Sequence, residues 1–331
     1  MVPGTRANER PLRWGILGCG GIARTVAAAI RSVPGCALHA VASRSLERAQ
    51  AFAAQTGAPL ACGDYAALAR CAEVDVVYVA TPPACHAADS LQCLDHGKHV
   101  LCEKPFAMSV TEAGAMAQRA RERGCFLMEA MWTRFLPAIA LVERLLADGR
   151  IGTPQLLLAG GAFKPAFDPS YYLFRPDLGG GVLRDAGVYL VHAAHWLLGR
   201  PVEVRSICQA GVQGVDEQDG VLLGFSTGAL ALLHVSMRAM QRPGLELLGS
   251  EGTIRLLPPV FDPAGVELSS HAGAHESWTF EPGPTGYSHQ IAEVAQCIRE
   301  GRAESARMPL SLTMDVLECL GQILSEAPGN G

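Results

Sequence analysis

The segment Leu17-Gly18-Cys19-Gly20-Gly21-Ile22-Ala23 follows the apolar run Leu12–Leu17 and opens a helix-period stretch that reaches Ser32. It constrains the fold tightly, because three demands must be met together. Gly18 has to make a tight turn out of a strand. Gly20 has to leave the backbone open to close approach, and Ala23 has to be small enough for the helix to lie against the strand. The unpaired amides that begin such a helix attract phosphate. In this strand–turn–helix setting Gly18, Cys19, Gly20, Gly21, Ile22 and Ala23 are expected to cradle the pyrophosphate of a dinucleotide.

The first 130 or so residues continue in the same style. Strand-like runs at Ala37–Ala42, Val74–Ala80, His99–Cys102 and Cys125–Glu129 alternate with helix-period segments at Leu46–Gln55, Ala84–Asp95 and from Ser109 to about Gly124. Alternation of this kind predicts a parallel sheet covered by helices, the Rossmann arrangement. The run Val74–Ala80 is β-branched and unbroken, as a strand buried on both faces should be.

Ligands bind such sheets outside the C-terminal strand ends, which directs attention to three places. The second strand ends Ala42-Ser43-Arg44, without the acidic residue that would hold an adenine ribose 2′-hydroxyl. Ser43 and Arg44 suit a 2′-phosphate instead, so NADP is expected over NAD. Thr81, Pro82 and His86 follow the next buried strand and are expected to border the cofactor. Glu103-Lys104-Pro105 ends the strand His99–Cys102, and there an apolar strand delivers an ammonium group to the same crevice. Glu103 and Lys104 are therefore also expected beside the cofactor, with Lys104 reaching the substrate.

After Trp132 the texture changes. A helix over about Pro137–Asp148 leads to strand-like segments at Gln155–Ala162, Val202–Ala210, Gly220–Ser226, Ala229–Met237, Leu245–Leu248 and Thr253–Leu257. Short glycine turns join several of them, as in an antiparallel or mixed sheet. Helix-period segments at Ser288–Gly301 and Ser311–Ser325 close the chain. The expected class is α/β: a Rossmann domain over residues 1–130, then an α+β domain over 131–331 with a large, mostly antiparallel open sheet. The terminal helices are free to pack back on the first domain.

Composition narrows the functional classes. At 331 residues the chain is long enough for two domains at roughly 150 residues each. Its net charge of −5, without a Lys/Arg-rich run, gives no footprint for nucleic acid. No apolar stretch approaches the roughly 20 residues that span a bilayer, and the polar N-terminus lacks a signal-peptide core. The 11 cysteines are odd in number and lack metal-ligand spacing. They read as reduced thiols of a cytoplasmic protein, mostly small buried hydrophobes, and no metal is expected.

A helix-period segment over Gly181–Leu198 carries Asp185, Tyr189 and His192 at offsets of four and three. Those offsets put all three on one stripe. Three glycines, Gly179, Gly180 and Gly181, precede it and allow close packing.

GxGxxA, then Glu103-Lys104-Pro105, then Gly179-Gly180-Gly181 followed by Asp185 and Tyr189, resembles the glucose–fructose oxidoreductase, inositol dehydrogenase and MocA family over nearly the whole chain. Met128–Phe135 and the approach from Arg175 to Gly181 look most like the branch that holds trans-dihydrobenzenediol and NADP-linked D-xylose dehydrogenases. Inositol-type members carry His where this chain has Tyr189.

The resemblance implies that Lys104 and Tyr189 are a catalytic pair and that Asp185 orients substrate. It implies a proton transfer at Tyr189, whose ordinary value of about 10 a neighbouring Lys104 would lower, coupled to hydride transfer with NADP. The substrate would be a sugar, polyol or trans-dihydrodiol. Trp132, Arg134, Phe163, Tyr171, Tyr172, Phe174 and His192 are candidate pocket residues, and an aromatic wall suits either a sugar face or a dihydrodiol. A biosynthetic ketosugar reductase, or a non-catalytic NADP-binding regulator, would share the fold. The resemblance further implies a homodimer or homotetramer formed through the second sheet, and a cis peptide before Pro105.

Overall fold

The computed structural model describes residues 10–281 and 285–326. The polar segment 1–9 read above lies outside the described residues. The described chain forms two compact units, the first from residues 10–107, 111–132 and 285–310, the second from 108–110, 133–281 and 311–326.

In the first unit six strands, β1 (Leu12–Leu17), β2 (Cys36–Ala42), β3 (Leu60–Cys62), β4 (Val76–Val79), β5 (His99–Cys102) and β6 (Leu127–Glu129), make one sheet in the order β3-β2-β1-β4-β5-β6. All neighbours are parallel. This is the doubly wound order with its switch between β1 and β4. Every residue of β4 is fully buried, as its unbroken apolar run predicts.

Helices α1 (Gly21–Ser32), α2 (Leu46–Thr56), α3 (Tyr65–Arg70), α4 (His86–Asp95) and α5 (Val110–Arg123) connect the strands. The Ser45 hydroxyl accepts from Arg48 N at 3.3 Å and so caps α2. Strand β3 and helix α3 are additions to the sequence reading. Three and six residues are too few to carry a periodic signal. The helix Tyr287–Arg299 returns from late in the chain to pack on α1, where Arg299 donates to the Gly35 carbonyl at 2.8 Å. Leu127 N of β6 likewise donates to the Ala303 carbonyl at 3.0 Å. The first unit is therefore not one continuous stretch ending at residue 130.

The second unit holds β7 (Pro154–Ala162), β8 (Pro201–Ala210), β9 (Asp216–Phe225), β10 (Leu230–Ser236), β11 (Gln241–Gly249), β12 (Gly252–Leu257), β13 (Gly265–Ser270) and β14 (His275–Thr279). Their order is β14-β13-β12-β11-β7-β10-β9-β8, antiparallel except for β7 beside β10. Helices α6 (Pro137–Ala147) and α7 (Val188–Leu198) pack on this sheet. The late helix Tyr287–Arg299 is α8, and α9 (Leu310–Ser325) belongs almost wholly to the second unit. Alternate residues such as Leu157, Leu223, Ala231, Leu233 and Leu247 are buried. Their neighbours face the other way, and Leu222, Leu232 and Ile207 stay 42%, 44% and 69% exposed.

One element departs from a regular helix. The chain first makes a wide π turn over Leu183–Gly187 and only then enters α7. A π turn adds a residue to the local repeat, so the seven-residue offset between Asp185 and His192 no longer has its regular α-helical value. Tyr189 is half-buried and His192 is buried. Among the described residues no helix is long and apolar enough to cross a membrane.

Candidate functional site

The turn after β1 has the geometry a pyrophosphate needs. Gly18 lies at φ 102°, and a Cβ there would sit 2.6 Å from the Ala80 carbonyl oxygen. Only glycine fits. Gly20 and Gly21 are exposed, and a Cβ on either would meet nothing within 4 Å, so open space remains over the first turn of α1. No side chain caps that helix and no acidic residue occupies its first turn. Ala23 is fully buried against the sheet. The cradle accordingly fits a dinucleotide phosphate. At the end of β2, Ser43 is buried and its hydroxyl accepts from Ser45 N at 3.4 Å, while Arg44 is exposed and makes no hydrogen bond or ion pair with another described residue.

The ends of β4 and β5 are tied together. Glu103 N donates to the Val79 carbonyl at 2.9 Å, and the Tyr78 hydroxyl donates to Glu103 Oε1 in a short hydrogen bond. Glu103 also accepts from Lys104 N at 3.2 Å. Glu129, 1% exposed, accepts from Phe106 N at 3.2 Å. The Lys104–Pro105 peptide is cis. The Thr81 hydroxyl donates to Asp89 Oδ2 at 2.7 Å. Burial pushes the Asp89 carboxyl upward.

His86 differs from its expected role at the cofactor's border. Its ring is 1% exposed, with Nδ1 at 2.8 Å from the Pro105 carbonyl oxygen and Nε2 at 2.7 Å from that of Thr81. Both nitrogens are engaged by the protein's own backbone. Burial, reinforced by the Lys104 charge, pushes the imidazole pKa down to about 4.

In the second unit the three glycines do pack closely. Gly181 lies at φ 112°, and a Cβ there would collide with Asp216 Oδ1. Asp216 Oδ2 accepts from Leu183 N at 2.7 Å and so holds the start of the π turn. Asp185 accepts from the Tyr172 hydroxyl at 2.6 Å. Burial and the Asp185 charge together push the Tyr172 phenol upward. The Tyr189 ring lies 4.9 Å from that of Phe261, tilted by 41°. Phe163 is half-buried at the end of β7.

Arg134 and His192 have packing roles that the pocket expectation did not include. Arg134 donates to Glu143 at 2.6 Å and lies over the Trp196 ring at 4.5 Å. His192 is 3% exposed, its Nε2 has no hydrogen-bond partner, and burial holds it neutral, with a pKa of about 3. In the first unit Trp132 stacks on Tyr287 at 4.4 Å. Sequence reasoning passed over Glu129, Asp216, Tyr287 and the link from Tyr172 to Asp185, because nothing local marks a polar residue as buried.

The fold also gathers His39, Cys71 and Glu73, whose donor atoms all lie within 4.8 Å. Their spacing gives no hint of this. Lys98 Nζ binds the Cys71 carbonyl at 2.6 Å and the Val74 carbonyl at 2.8 Å, setting a positive charge beside the group that opposes a cation there. All 11 cysteines are free thiols.

Two family models match the chain. One, an oxidoreductase family with an NAD-binding Rossmann fold, spans residues 12–131, and the other, the GFO/IDH/MocA C-terminal domain, spans residues 139–255. The chain belongs to the GFO/IDH/MocA oxidoreductase family. Relatives in that family include the trans-1,2-dihydrobenzene-1,2-diol dehydrogenase of Bos taurus, 32% identical over 93% of this chain and 95% of its own length. The dehydrogenase of the same name from Danio rerio is 35% identical over 90% and 91%. Among solved structures, a 3-ketoreductase from Actinomadura kijaniata in complex with NADP and TDP-benzene superposes with a TM-score of 0.85. It is 28% identical, over 96% of this chain and 98% of that one. Structures of that ketoreductase also include variants with a lysine changed to alanine and a tyrosine changed to phenylalanine. As a GFO/IDH/MocA protein the chain is an oxidoreductase, and its first unit is the NAD-binding domain.

Proposed function

We propose that this oxidoreductase is NADP-dependent and moves a hydride between nicotinamide and a hydroxyl or carbonyl carbon of a sugar, polyol or trans-dihydrodiol. The observation that carries the reading is Lys104, on a loop anchored at the C-terminal end of β5 in the unit that holds the Gly18 cradle. Buried Ser43 followed by exposed Arg44, with no acid at the end of β2, supports NADP over NAD.

Bound nicotinamide supplies the hydride acceptor or donor. Lys104 and Tyr189 form the catalytic pair. In the oxidising direction Tyr189 takes the proton of the substrate hydroxyl, and the Lys104 ammonium steadies the phenolate that makes this possible. In the reducing direction Tyr189 returns the proton to the carbonyl oxygen. Asp185, held by Tyr172, accepts from a further hydroxyl and orients the substrate. Phe163 and Tyr172 remain candidates to face the substrate. Likeness to the 3-ketoreductase supports a second reading, reduction of a ketosugar with the same residues.

The test is NADP⁺ reduction by the purified protein with D-xylose, D-glucose and a trans-dihydrodiol offered separately, NAD⁺ as control, and NADPH oxidation with a ketosugar. Turnover lost by about 10²–10⁴-fold in Tyr189→Phe supports the assignment. Near-normal turnover in that variant rejects it.

The apolar open face of the second sheet, with Ile207, Leu222 and Leu232, is the surface we assign to a homodimer. Light scattering of the wild type and of Leu232→Asp reads this directly. A wild-type monomer removes the assignment.

A further inference from the structure

Lys104 has backbone anchors on both sides. On one side its own N–H is held by Glu103, and on the other Phe106 N–H is held by Glu129. Between these the Pro105 carbonyl meets the ring of His86, whose other nitrogen meets the Thr81 carbonyl. The ring therefore spans two loops, the one after β4 and the one after β5. A short helical turn over Pro83–Cys85 folds the chain back so that His86, the first residue of α4, sits beneath Thr81.

We infer that His86 is a positioning residue for the reaction, a clasp between the Thr81 and Pro105 carbonyls that fixes the direction in which Lys104 leaves its strand. The inference deepens the reading above and rests on Lys104 being catalytic.

Three features make His86 suited to this. Its ring is enclosed, so solvent does not compete for either carbonyl. Its aromatic plane is rigid, so the two contacts are set at one separation. Its charge stays constant at working pH, because burial and the Lys104 ammonium keep the ring neutral. A cationic ring in that place would repel Lys104; a neutral one holds the loop without perturbing the ammonium it presents. The neutral ring has one N–H, so one of the two carbonyls accepts its hydrogen bond and the other is held only by close contact with the rigid ring. A carboxamide of similar reach, with two N–H donors, would preserve the span. A phenyl ring would fill the space without making it.

The experiment compares His86→Phe, His86→Gln and His86→Asn with Lys104→Met and with the double variant His86→Phe, Lys104→Met. Readouts are kcat and KM, the Kd for NADP, and hydrogen exchange of the ligand-free protein over residues 103–107. In His86→Phe we expect kcat to fall roughly 10–100-fold, the scale of a small misplacement of a catalytic group. NADP Kd stays within about twofold, and exchange accelerates at the Lys104 and Phe106 amides. His86→Gln recovers most of both losses, and His86→Asn, too short for the span, does not. In the Lys104→Met background His86→Phe adds less than about twofold, because it acts through Lys104.

Wild-type kcat in His86→Phe overturns the inference. So does a parallel loss of NADP binding, or Gln performing no better than Asn, which also decides the matter if the Phe variant does not fold. If Lys104→Met itself retains wild-type turnover, the catalytic reading of Lys104 fails first. If Lys104→Met is inactive and His86→Phe is not, only the positioning role fails.

Discussion

Tyr172 donates its hydroxyl hydrogen to Asp185 at 2.6 Å, across thirteen residues of chain, and this bond holds the carboxylate in the middle of the π turn. Burial and the Asp185 charge hold the Tyr172 phenol protonated, so it serves as a donor and not as a base. Tyr172→Phe removes that donor and weakens the hold on the carboxylate. A charge-assisted hydrogen bond is worth about 1.5–3 kcal/mol. We expect kcat/KM to fall about 10–100-fold, with most of the change in KM for the hydroxylated substrate and little in NADP affinity. Steady-state kinetics and a cofactor titration check this.

Cofactor choice follows from the end of β2. Arg44→Asp replaces an exposed cation with the acid that an NAD site uses on its ribose. NADP affinity is expected to drop at least tenfold while NAD affinity rises, which titration of both cofactors reads directly. An unchanged ratio of the two affinities removes Arg44 from the site.

His86 and His192 make the fold sensitive to acid. Both are buried neutral, with pKa values pushed to about 4 and about 3 by desolvation. Below the ordinary value of about 6.5 the unfolded chain takes up protons at these positions while the folded chain does not. Their contribution to stability is complete above that value and is lost as pH falls toward 4. His192→Leu is expected to reduce the slope of unfolding free energy against pH by close to one proton between about pH 6 and 4. Urea melts at pH 7, 6, 5 and 4 supply the slopes.

Asp219 acts in the opposite sense. It is 1% exposed on β9, beside Asp216 and across from Cys208 on β8, with neither carboxylate oxygen in hydrogen-bonding geometry. Burial and then the Asp216 charge push its carboxyl upward. The folded chain thus keeps a proton that the unfolded chain has lost, and stability from this site declines as pH rises above the ordinary carboxylate range. Asp219→Asn is expected to exceed wild-type stability already at pH 5, above the ordinary carboxylate range, and to widen that margin at pH 8. Thermal melts at the two pH values test the difference.

Legibility in the sequence followed burial and length. Strand β4 could be read because all its residues point into a core, and the Gly18 turn because backbone crowding at Ala80 admits no side chain. Strands β13 and β14 could not. The second, His-Glu-Ser-Trp-Thr, is half solvent-facing and polar, and its pairing partner lies across a turn. Lys104 was marked by its place at a strand end. The two carbonyls that the His86 ring meets were not legible, since a sequence does not say which backbone groups surround a histidine. The π turn was hidden because its residues also satisfy an α-helical pattern, and the hydrogen bond at its first residue, from Leu183 N to Asp216, comes from far along the chain.

Because α8 is the element that covers α1, the nucleotide-binding half of this protein is written in two separate parts of its gene. Synthesis has to run on as far as α8 before the flank of α1 can be closed, and a protein cut after residue 132 would present that flank to water. No single splice or fusion point separates the two halves, and exchanging the nucleotide domain with a relative would require transplanting the late helix along with the first 132 residues.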